Sequence, residues 1–227
     1  MDQLKKIEGP FQMPLSGQAA KQLIVFCHGL GSDGNDLIGL SPYFAKTLPD
    51  AFFVSPNAPF RYDLAPTGFQ WFSLENSTPQ SRLSGIEAAA PILNNFIDEQ
   101  LERLNLDDKH LALVGFSQGT MLALHVGLRR SRPMGGIIGY SGSLIGGNLL
   151  QTETISRPPV LLVHGDIDEI VPPDALQSSV NALTSIGVEV KGEMRPGLGH
   201  GLDDRGIILG MEFLAGCFGI QLTSPDS

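Results

Sequence analysis

Leu-Ala-Leu-Val-Gly-Phe-Ser-Gln-Gly, residues 111–119, joins an apolar run to a segment with helical periodicity that continues to Arg130. The last five residues form a Gly-x-Ser-x-Gly pattern, and a serine between a buried strand and a helix sits in a sharp, strained turn. The glycines let the backbone pass close to its neighbours, and the helix N-terminus supplies free N–H groups where an oxyanion forms. This setting predicts that Ser117 is a nucleophile, although serine is also a favoured helix N-cap.

The rest of the chain repeats the order of strand and helix. Short apolar runs bounded by Gly or Pro alternate with longer amphipathic segments, which is typical of parallel strands joined by helices. Several runs are apolar on both faces, as a strand covered by helices on each side requires. The predicted strands are Leu23–Cys27, Ala51–Ser55, Leu111–Gly115, Gly136–Tyr140, Val160–His164 and Val188–Met194. The predicted helices are Asp36–Thr47, Arg82–Leu104, Gln118–Arg130, Pro173–Ile186 and Asp203–Phe218.

The length of 227 residues predicts one domain, residues 1–227, with a mostly parallel twisted sheet and helices on both faces. Residues 57–81 have neither helical nor strand periodicity and are rich in proline and aromatic residues. We expect this segment to be a loop at the pocket, serving as a wall or partial lid. Residues 223–227 are expected to be a frayed tail.

The serine needs a histidine as base and a carboxylate to orient that histidine. With this type of turn the chain order is serine, acid, histidine, which selects His200 in a glycine-rich loop after the last strand. His164 ends a strand and leaves no room for an acid between it and the following acidic loop. In that loop we prefer Asp168 over Asp166, because the tight corner at His164-Gly-Asp would let Asp166 bond its own backbone.

The loop after the first clear strand reads His-Gly-Leu-Gly-Ser-Asp-Gly from residue 28 to residue 34. Its glycines let amide N–H groups turn inward, so the N–H groups of Leu30 and Gln118 are the expected oxyanion donors. A glycine-rich turn of this kind can also bind phosphate. However, it lacks the Gly-Lys-Ser/Thr ending, and its acidic residues oppose an anion. Neither calcium-loop nor Cys/His spacing indicates a metal site.

Composition excludes several classes of partner. Lys and Arg number 15 against 24 Asp and Glu, which gives a formal charge of −9, so nucleic acid is not an expected partner. No secretory leader or membrane-spanning run is readable, and two cysteines in apolar contexts make no disulfide framework. We expect a cytoplasmic protein without stable membrane insertion. An uncharged stretch over residues 133–152 makes a homodimer conceivable.

With these residues the chain closely resembles the phospholipase/carboxylesterase family of α/β-hydrolases, which includes the acyl-protein thioesterases. The resemblance implies Ser117, Asp168 and His200 as the triad, Leu30 and Gln118 as oxyanion donors, and hydrolysis without a cofactor. One position departs from the family, which commonly has an aspartate two residues after the loop tryptophan, where this chain has Ser73. The likeness runs from about Gln22 to Phe218 and rests on His28-Gly29-Leu30-Gly31 with Gly34 and Asp36, Pro56-Asn57-Ala58-Pro59, Trp71-Phe72, Gly115-Phe116-Ser117-Gln118-Gly119, His164-Gly165-Asp166-Ile167-Asp168 with Val171-Pro172, and Gly199-His200.

The expected function is therefore hydrolysis of carboxylic esters with short to medium acyl chains, and lysophospholipid is a further candidate substrate. Trp71, Phe72 and Leu74 are expected to form the acyl-binding wall, or else a hydrophobic plug over the sheet edge. Two alternatives stay open: an acyl-protein thioesterase that removes fatty acyl groups from protein cysteines, and a non-catalytic ligand receptor on the same fold.

Overall fold

The computed structural model describes residues 4–221, so the tail predicted at 223–227 lies outside the described residues. The strands are β1 Phe11–Gln12, β2 Gln22–Cys27, β3 Ala51–Val54, β4 Phe60–Arg61, β5 Phe69–Gln70, β6 Leu111–Phe116, β7 Gly136–Tyr140, β8 Val160–Gly165 and β9 Val190–Arg195. Seven strands form one sheet in the order β1-β3-β2-β6-β7-β8-β9, and every neighbouring pair is parallel except β1 and β3. Strands β4 and β5 form a separate antiparallel pair.

Helices cover both faces of the sheet, as the sequence predicted. Alternate residues of β2 point to opposite faces, so Val25 joins one apolar core and Phe26 the other. The α-helices are α1 Gly34–Ile38, α2 Ser41–Thr47, α3 Pro79–Leu104, α4 Gln118–Gly127, α5 Leu150–Glu153, α6 Asp174–Ser185 and α7 Asp204–Cys217. The first core contains residues from α3, α4 and α6, and the second contains residues from α2 and α7.

Two sequence predictions need correction. The helix predicted over Asp36–Thr47 is two helices, α1 and α2, which meet at Gly39 and Leu40 just before Pro42, a residue that suits only the first turn of a helix. The segment predicted as a loop over residues 57–81 contains the β4–β5 hairpin and ends in the first turn of α3. The strand periodicity is invisible there because each strand has only two residues.

The two cysteines differ in environment. Cys27, the last residue of β2, is fully buried, and burial raises the pKa of its thiol to about 12. Cys217 ends α7 and is half-buried; burial, together with the nearby Glu189, raises the pKa of its thiol to about 11. Both are free thiols.

Candidate active site

Ser117 occupies a strained turn between β6 and α4. Its φ of 53° and ψ of −116° lie where residues with a side chain are rare, a cost of about 1–3 kcal/mol that the surrounding structure must offset. The Ser117 N–H donates to the Tyr140 carbonyl at 2.9 Å, and a Cβ atom on Gly119 would overlap the carbonyl oxygen of Cys27. The turn is thus held from both neighbouring strands, and the second glycine of the motif is required by close backbone contact.

The loop after β9 brings His200 to this serine, 83 residues away in the chain. His200 Nε2 lies 3.0 Å from Ser117 Oγ, and Nδ1 lies 2.8 Å from Asp168 Oδ2. The Asp168 carboxylate accepts from Nδ1–H, so Nε2 is left to accept from the serine hydroxyl. The loop is tied to the sheet by Ser141, whose hydroxyl donates to the Gly201 carbonyl at 3.0 Å.

Asp168 is buried, and its two oxygens have different partners. Oδ1 accepts from the N–H groups of Ile170 and Val171, both at 2.9 Å, while Oδ2 faces His200. Burial by itself would raise the pKa of Asp168, but the hydrogen bonds from His200, Val171 and Ile170 outweigh it and hold the pKa below its usual value. The carboxylate is therefore ionised at neutral pH.

Asp166, the alternative acid, points elsewhere. Its Oδ1 accepts from the Gly197 N–H at 2.7 Å and so braces the loop that carries His200. The sequence argument that Asp166 would bond its own backbone is wrong, because the oxygen reaches across to the neighbouring loop instead. Asp166 is exposed, whereas Asp168 is 4% exposed.

His164 belongs to the site in a way that sequence reasoning missed. Its Nε2 lies 3.2 Å from Asp168 Oδ2 and 2.9 Å from the Val171 carbonyl, and the ring is fully buried. Both neighbours are acceptors, so Nε2 carries a hydrogen, which it donates to the Val171 carbonyl, and the ring lies beside the Asp168 oxygen that also faces His200. The sequence signal is a histidine at the end of a buried strand, four residues before the acid, and the argument from chain order tests such a histidine only as a base.

Two backbone amides belong to residues that line the cavity beside Ser117. The N–H groups of Leu30 and Gln118 have no hydrogen-bond partner among residues 4–221, and both residues line the cavity. The Leu30 loop is held by β5, where the Gly31 N–H donates to the Phe69 carbonyl and the Phe69 N–H donates to the Ser32 carbonyl, both at 2.8 Å. Two free donors in a fixed position beside a nucleophile suit a developing oxyanion.

Trp71 and Phe72 do not line the cavity, which corrects the predicted acyl wall. They are 0% and 2% exposed, and Leu74 alone of the three residues reaches the cavity surface. Trp71 Nε1 donates to the His28 carbonyl at 2.9 Å, and its ring packs against His28 with centroids 5.6 Å apart. The Gln118 side chain accepts from the Trp71 N–H at 2.8 Å and donates to the Phe72 carbonyl at 2.7 Å. These residues therefore connect the loops that carry the two free amides.

Two further histidines are buried away from the reacting atoms. His28 Nε2 accepts from the Ala58 N–H at 2.9 Å and Nδ1 donates to the Gly29 carbonyl at 2.7 Å, while burial lowers the pKa of His28. His125 lies on α4, where burial, reinforced by Arg129, lowers its pKa to about 4. Both rings are therefore neutral at pH 7.

The cavity has a volume of about 430 Å³. Ser117 and His200 lie in its wall, and apolar side chains make up most of the remainder. The lining side chains beyond the triad and the two amides include Ser32, Leu74, Arg82, Phe116, Met121, Ser143, Ile170, Val171, Pro172 and Ala175.

Comparison with known proteins bears on this geometry. The profile of the phospholipase/carboxylesterase family matches residues 12–217. The chain belongs to the phospholipase/carboxylesterase family. The resemblance seen in the sequence is thereby confirmed, and so is the α/β-hydrolase fold.

Proteins described as esterases or acyl-protein thioesterases are similar over most of the chain. The crystal structure of esterase PE8 is 39% identical, covers 93% of this chain and 99% of its own, and superposes with a TM-score of 0.89. Esterase YpfH of Escherichia coli is 26% identical over 195 residues, 86% of this chain and 82% of that protein. Acyl-protein thioesterase 1 of Kluyveromyces lactis is 31% identical over 175 residues, 68% of this chain and 73% of that protein.

Proposed function

We propose that this family member is a serine hydrolase that cleaves carboxylic esters, with Ser117 as nucleophile, His200 as base and Asp168 as orienting acid. One observation carries the proposal: the hydrogen-bonded series from Ser117 Oγ to His200 Nε2 at 3.0 Å and from His200 Nδ1 to Asp168 Oδ2 at 2.8 Å ends beside two unpaired amides. A serine that only caps a helix would not require hydrogen bonds to a histidine and an aspartate. The strained backbone of Ser117 also favours a nucleophile over an N-cap or a passive receptor.

In the proposed reaction Ser117 Oγ attacks the acyl carbonyl carbon while its proton passes to His200 Nε2. The N–H groups of Leu30 and Gln118 hold the oxyanion, and ionised Asp168 stabilises the imidazolium. His200 then gives the proton to the leaving alkoxide, which departs as the alcohol. A water molecule, deprotonated by His200, releases the acid and restores Ser117.

The cavity size and its apolar wall support acyl chains of short to medium length, and lysophospholipid remains a candidate. No cofactor takes part in this reaction. Among residues 4–221 no helix is long and apolar enough to cross a membrane.

The two free cysteines support a cytoplasmic location. The acidic net charge argues against nucleic acid as a partner, and a homodimer remains a possible assembly.

Acyl-protein thioesterase activity is the second candidate, because relatives named acyl-protein thioesterase 1 match the chain. The same triad and amides serve a thioester equally well. Initial rates on a short ester, a lysophospholipid and a palmitoylated peptide at equal concentration separate the candidates. A palmitoyl thioester rate above the short-ester rate replaces the primary proposal with the second.

Replacement of the nucleophile tests the proposal directly. We expect Ser117→Ala to lower kcat for p-nitrophenyl acetate and butyrate by roughly 10⁴- to 10⁶-fold. A fluorophosphonate probe located by mass spectrometry should label Ser117 in the parent protein and leave the variant unlabelled. Thermal unfolding should change little, because the substitution removes one oxygen and creates no clash.

The matched control is Ser131→Ala, an exposed serine remote from the cavity, which should keep both labelling and turnover. Turnover retained in Ser117→Ala, or a parent protein that binds the ester without releasing product, contradicts the proposal.

A further inference from the structure

Arg82 lines the same cavity as Ser117 and His200. Within the described residues it is the only Lys, Arg, Asp or Glu side chain in that wall. Apart from His200 and Gln118, the other lining residues are apolar, glycine or serine. The chain has a net charge of −9, so a positive group at this place is a local exception to the protein's overall charge.

The charge of Arg82 has no protein partner in the part of the chain that the structure describes. Its guanidinium makes no hydrogen bond and no ion pair to residues 4–221. Arg103 on α3 and Arg129 and Arg130 after α4 are engaged by side-chain acceptors, whereas Arg132, which also lacks a partner among residues 4–221, is exposed to solvent. An arginine carries five N–H donors and stays protonated, so the half-buried Arg82 group has binding capacity left for a ligand.

The positive charge of Arg82 does not stabilise helix α3. Arg82 lies at the fourth position of α3, near the positive end of the helix dipole, where a cation is unfavourable. The positions three and four residues later, where an acid could offset the charge, are Gly85 and Ile86. The positive charge therefore stands where neither the helix nor a neighbouring residue stabilises it.

We propose that Arg82 selects esters that carry a carboxylate remote from the scissile bond, so that the guanidinium binds the carboxylate while Ser117 attacks the carbonyl. The inference rests on the proposed hydrolase function and specifies its substrate class. An arginine matches a carboxylate with two parallel N–H bonds, and apolar walls strengthen that attraction by excluding water. The remote carboxylate can belong to the acyl chain, which releases a dicarboxylic acid, or to the alcohol, which releases a hydroxy acid.

Matched ester pairs test both sources of the carboxylate. On the acyl side, the p-nitrophenyl monoesters of adipic and pimelic acid are compared with the esters in which the free carboxylate is a carboxamide of the same shape. On the alcohol side, the acetate of 6-hydroxyhexanoic acid is compared with the acetate of its amide. The readout is the ratio of kcat/KM for carboxylate over carboxamide within each pair, so a general change in catalysis cancels.

We expect the parent protein to prefer the carboxylate in at least one pair, and Arg82→Gln to reduce that ratio by about tenfold to a hundredfold, the usual worth of hydrogen bonds to a charged group. Arg82→Lys should retain an intermediate preference, because lysine keeps the charge but lacks the planar two-bond geometry. Arg132→Gln removes an exposed arginine outside this cavity and gives the same net charge, so its ratios should equal the parent's.

A parent protein that hydrolyses the neutral carboxamide esters with carboxylate ratios unaffected by Arg82→Gln in both pairs overturns the role of Arg82 and leaves the proposed function intact. Equal losses in Arg82→Gln and Arg132→Gln also overturn it, because overall charge then explains the effect. A parent protein that hydrolyses no ester of either pair, nor p-nitrophenyl acetate or butyrate, contradicts the proposed function itself.

Discussion

Two regions position the same residue, Gln118, one through neighbouring residues in the sequence and the other through distant ones. The β6–α4 turn does so locally, because strand, strained serine and helix follow one another within residues 111–127. Residues 57–74 do so from a distance: Trp71 and Phe72 bond the Gln118 side chain across 46 or 47 residues of sequence, and Trp71 also bonds the His28 carbonyl. We therefore expect the turn to set the conformation of the nucleophile and the distant segment to set how far apart the two free amides lie.

The largest expected effect comes from breaking the local region. In Gly119→Ala the new Cβ atom overlaps the Cys27 carbonyl oxygen, a buried backbone group that cannot move aside. We expect the free energy of unfolding to fall by more than the roughly 3 kcal/mol at the upper end of ordinary overpacking, and ester hydrolysis to be lost. Urea unfolding and p-nitrophenyl butyrate turnover measure the two effects.

Gly216→Ala is the control for this substitution. Gly216 lies in α7, and a Cβ atom there meets nothing within 4 Å, so alanine should be neutral or raise stability by about 0.5–1 kcal/mol through helix propensity. If Gly119→Ala behaves like Gly216→Ala, the close approach of β2 and α4 does not constrain the turn.

An intermediate effect should follow from breaking the distant region without touching the amide. Gln118→Met keeps the length of the side chain but leaves the Trp71 N–H and the Phe72 carbonyl buried without a partner. We expect a loss of about 2–4 kcal/mol in the free energy of unfolding. We also expect kcat to fall about tenfold with little change in KM, because the oxyanion donors lose their fixed spacing.

Gln177→Met on α6 removes an exposed hydrogen bond to Asn181 and should change stability by less than about 0.5 kcal/mol. An unchanged kcat in Gln118→Met, together with a clear loss of stability, would mean that residues 57–74 support the fold but not the spacing of the amides.

The smallest expected effect is a change in how the free energy of unfolding depends on pH. His125 belongs to the helix of the turn and has a folded-state pKa of about 4, against 6.5 for the unfolded chain. Between these values the unfolded state binds more protons, so stability falls as the pH drops from 6.5 towards 4. We expect this histidine to account for a loss of roughly 1–2 kcal/mol between pH 7 and pH 5, and His125→Leu to show a flatter curve over that window.

His28 contacts Trp71 of the distant segment, and its pKa is also lowered, so its contribution has the same sign and begins to be lost near pH 6.5. Urea titrations at pH 7, 6 and 5 on the parent protein and His125→Leu measure the contribution of His125 as the difference between the two curves. Identical pH dependence in the two proteins would show that His125 titrates normally in the folded state.

The same contrast explains what the sequence could predict. The turn at Ser117 and the alternation of strands and helices are local patterns, and the strand bounds agree with prediction to within two residues. The order of serine, acid and histidine singled out His200, whereas Asp168 was preferred over Asp166 by a backbone argument that the structure contradicts and by the family resemblance. The structure places His200 in hydrogen-bonding contact with both Asp168 and Ser117.

The errors concern interactions between distant parts of the chain. The β4–β5 hairpin is held in part by hydrogen bonds from β5 to the loop at Gly31 and Ser32, which no local period reveals. Trp71 was expected at the cavity because its aromatic neighbours suggested an acyl wall. Its indole Nε1–H instead donates to the buried His28 carbonyl, which places the ring in the core. Strand β1 is a two-residue edge strand near two prolines, too short to leave a pattern.

The environment of Cys27 and Cys217 has a practical consequence for assigning the reaction. Thiol-reactive dyes that report thioester cleavage respond to thiolate, and thiols with pKa values of about 12 and 11 hold almost none at neutral pH. The protein should therefore contribute little background to such a colorimetric assay, and it should tolerate alkylating reagents that would disable a cysteine-dependent catalyst. Ester and thioester substrates can then be compared in one cuvette format without masking the protein's own sulfur.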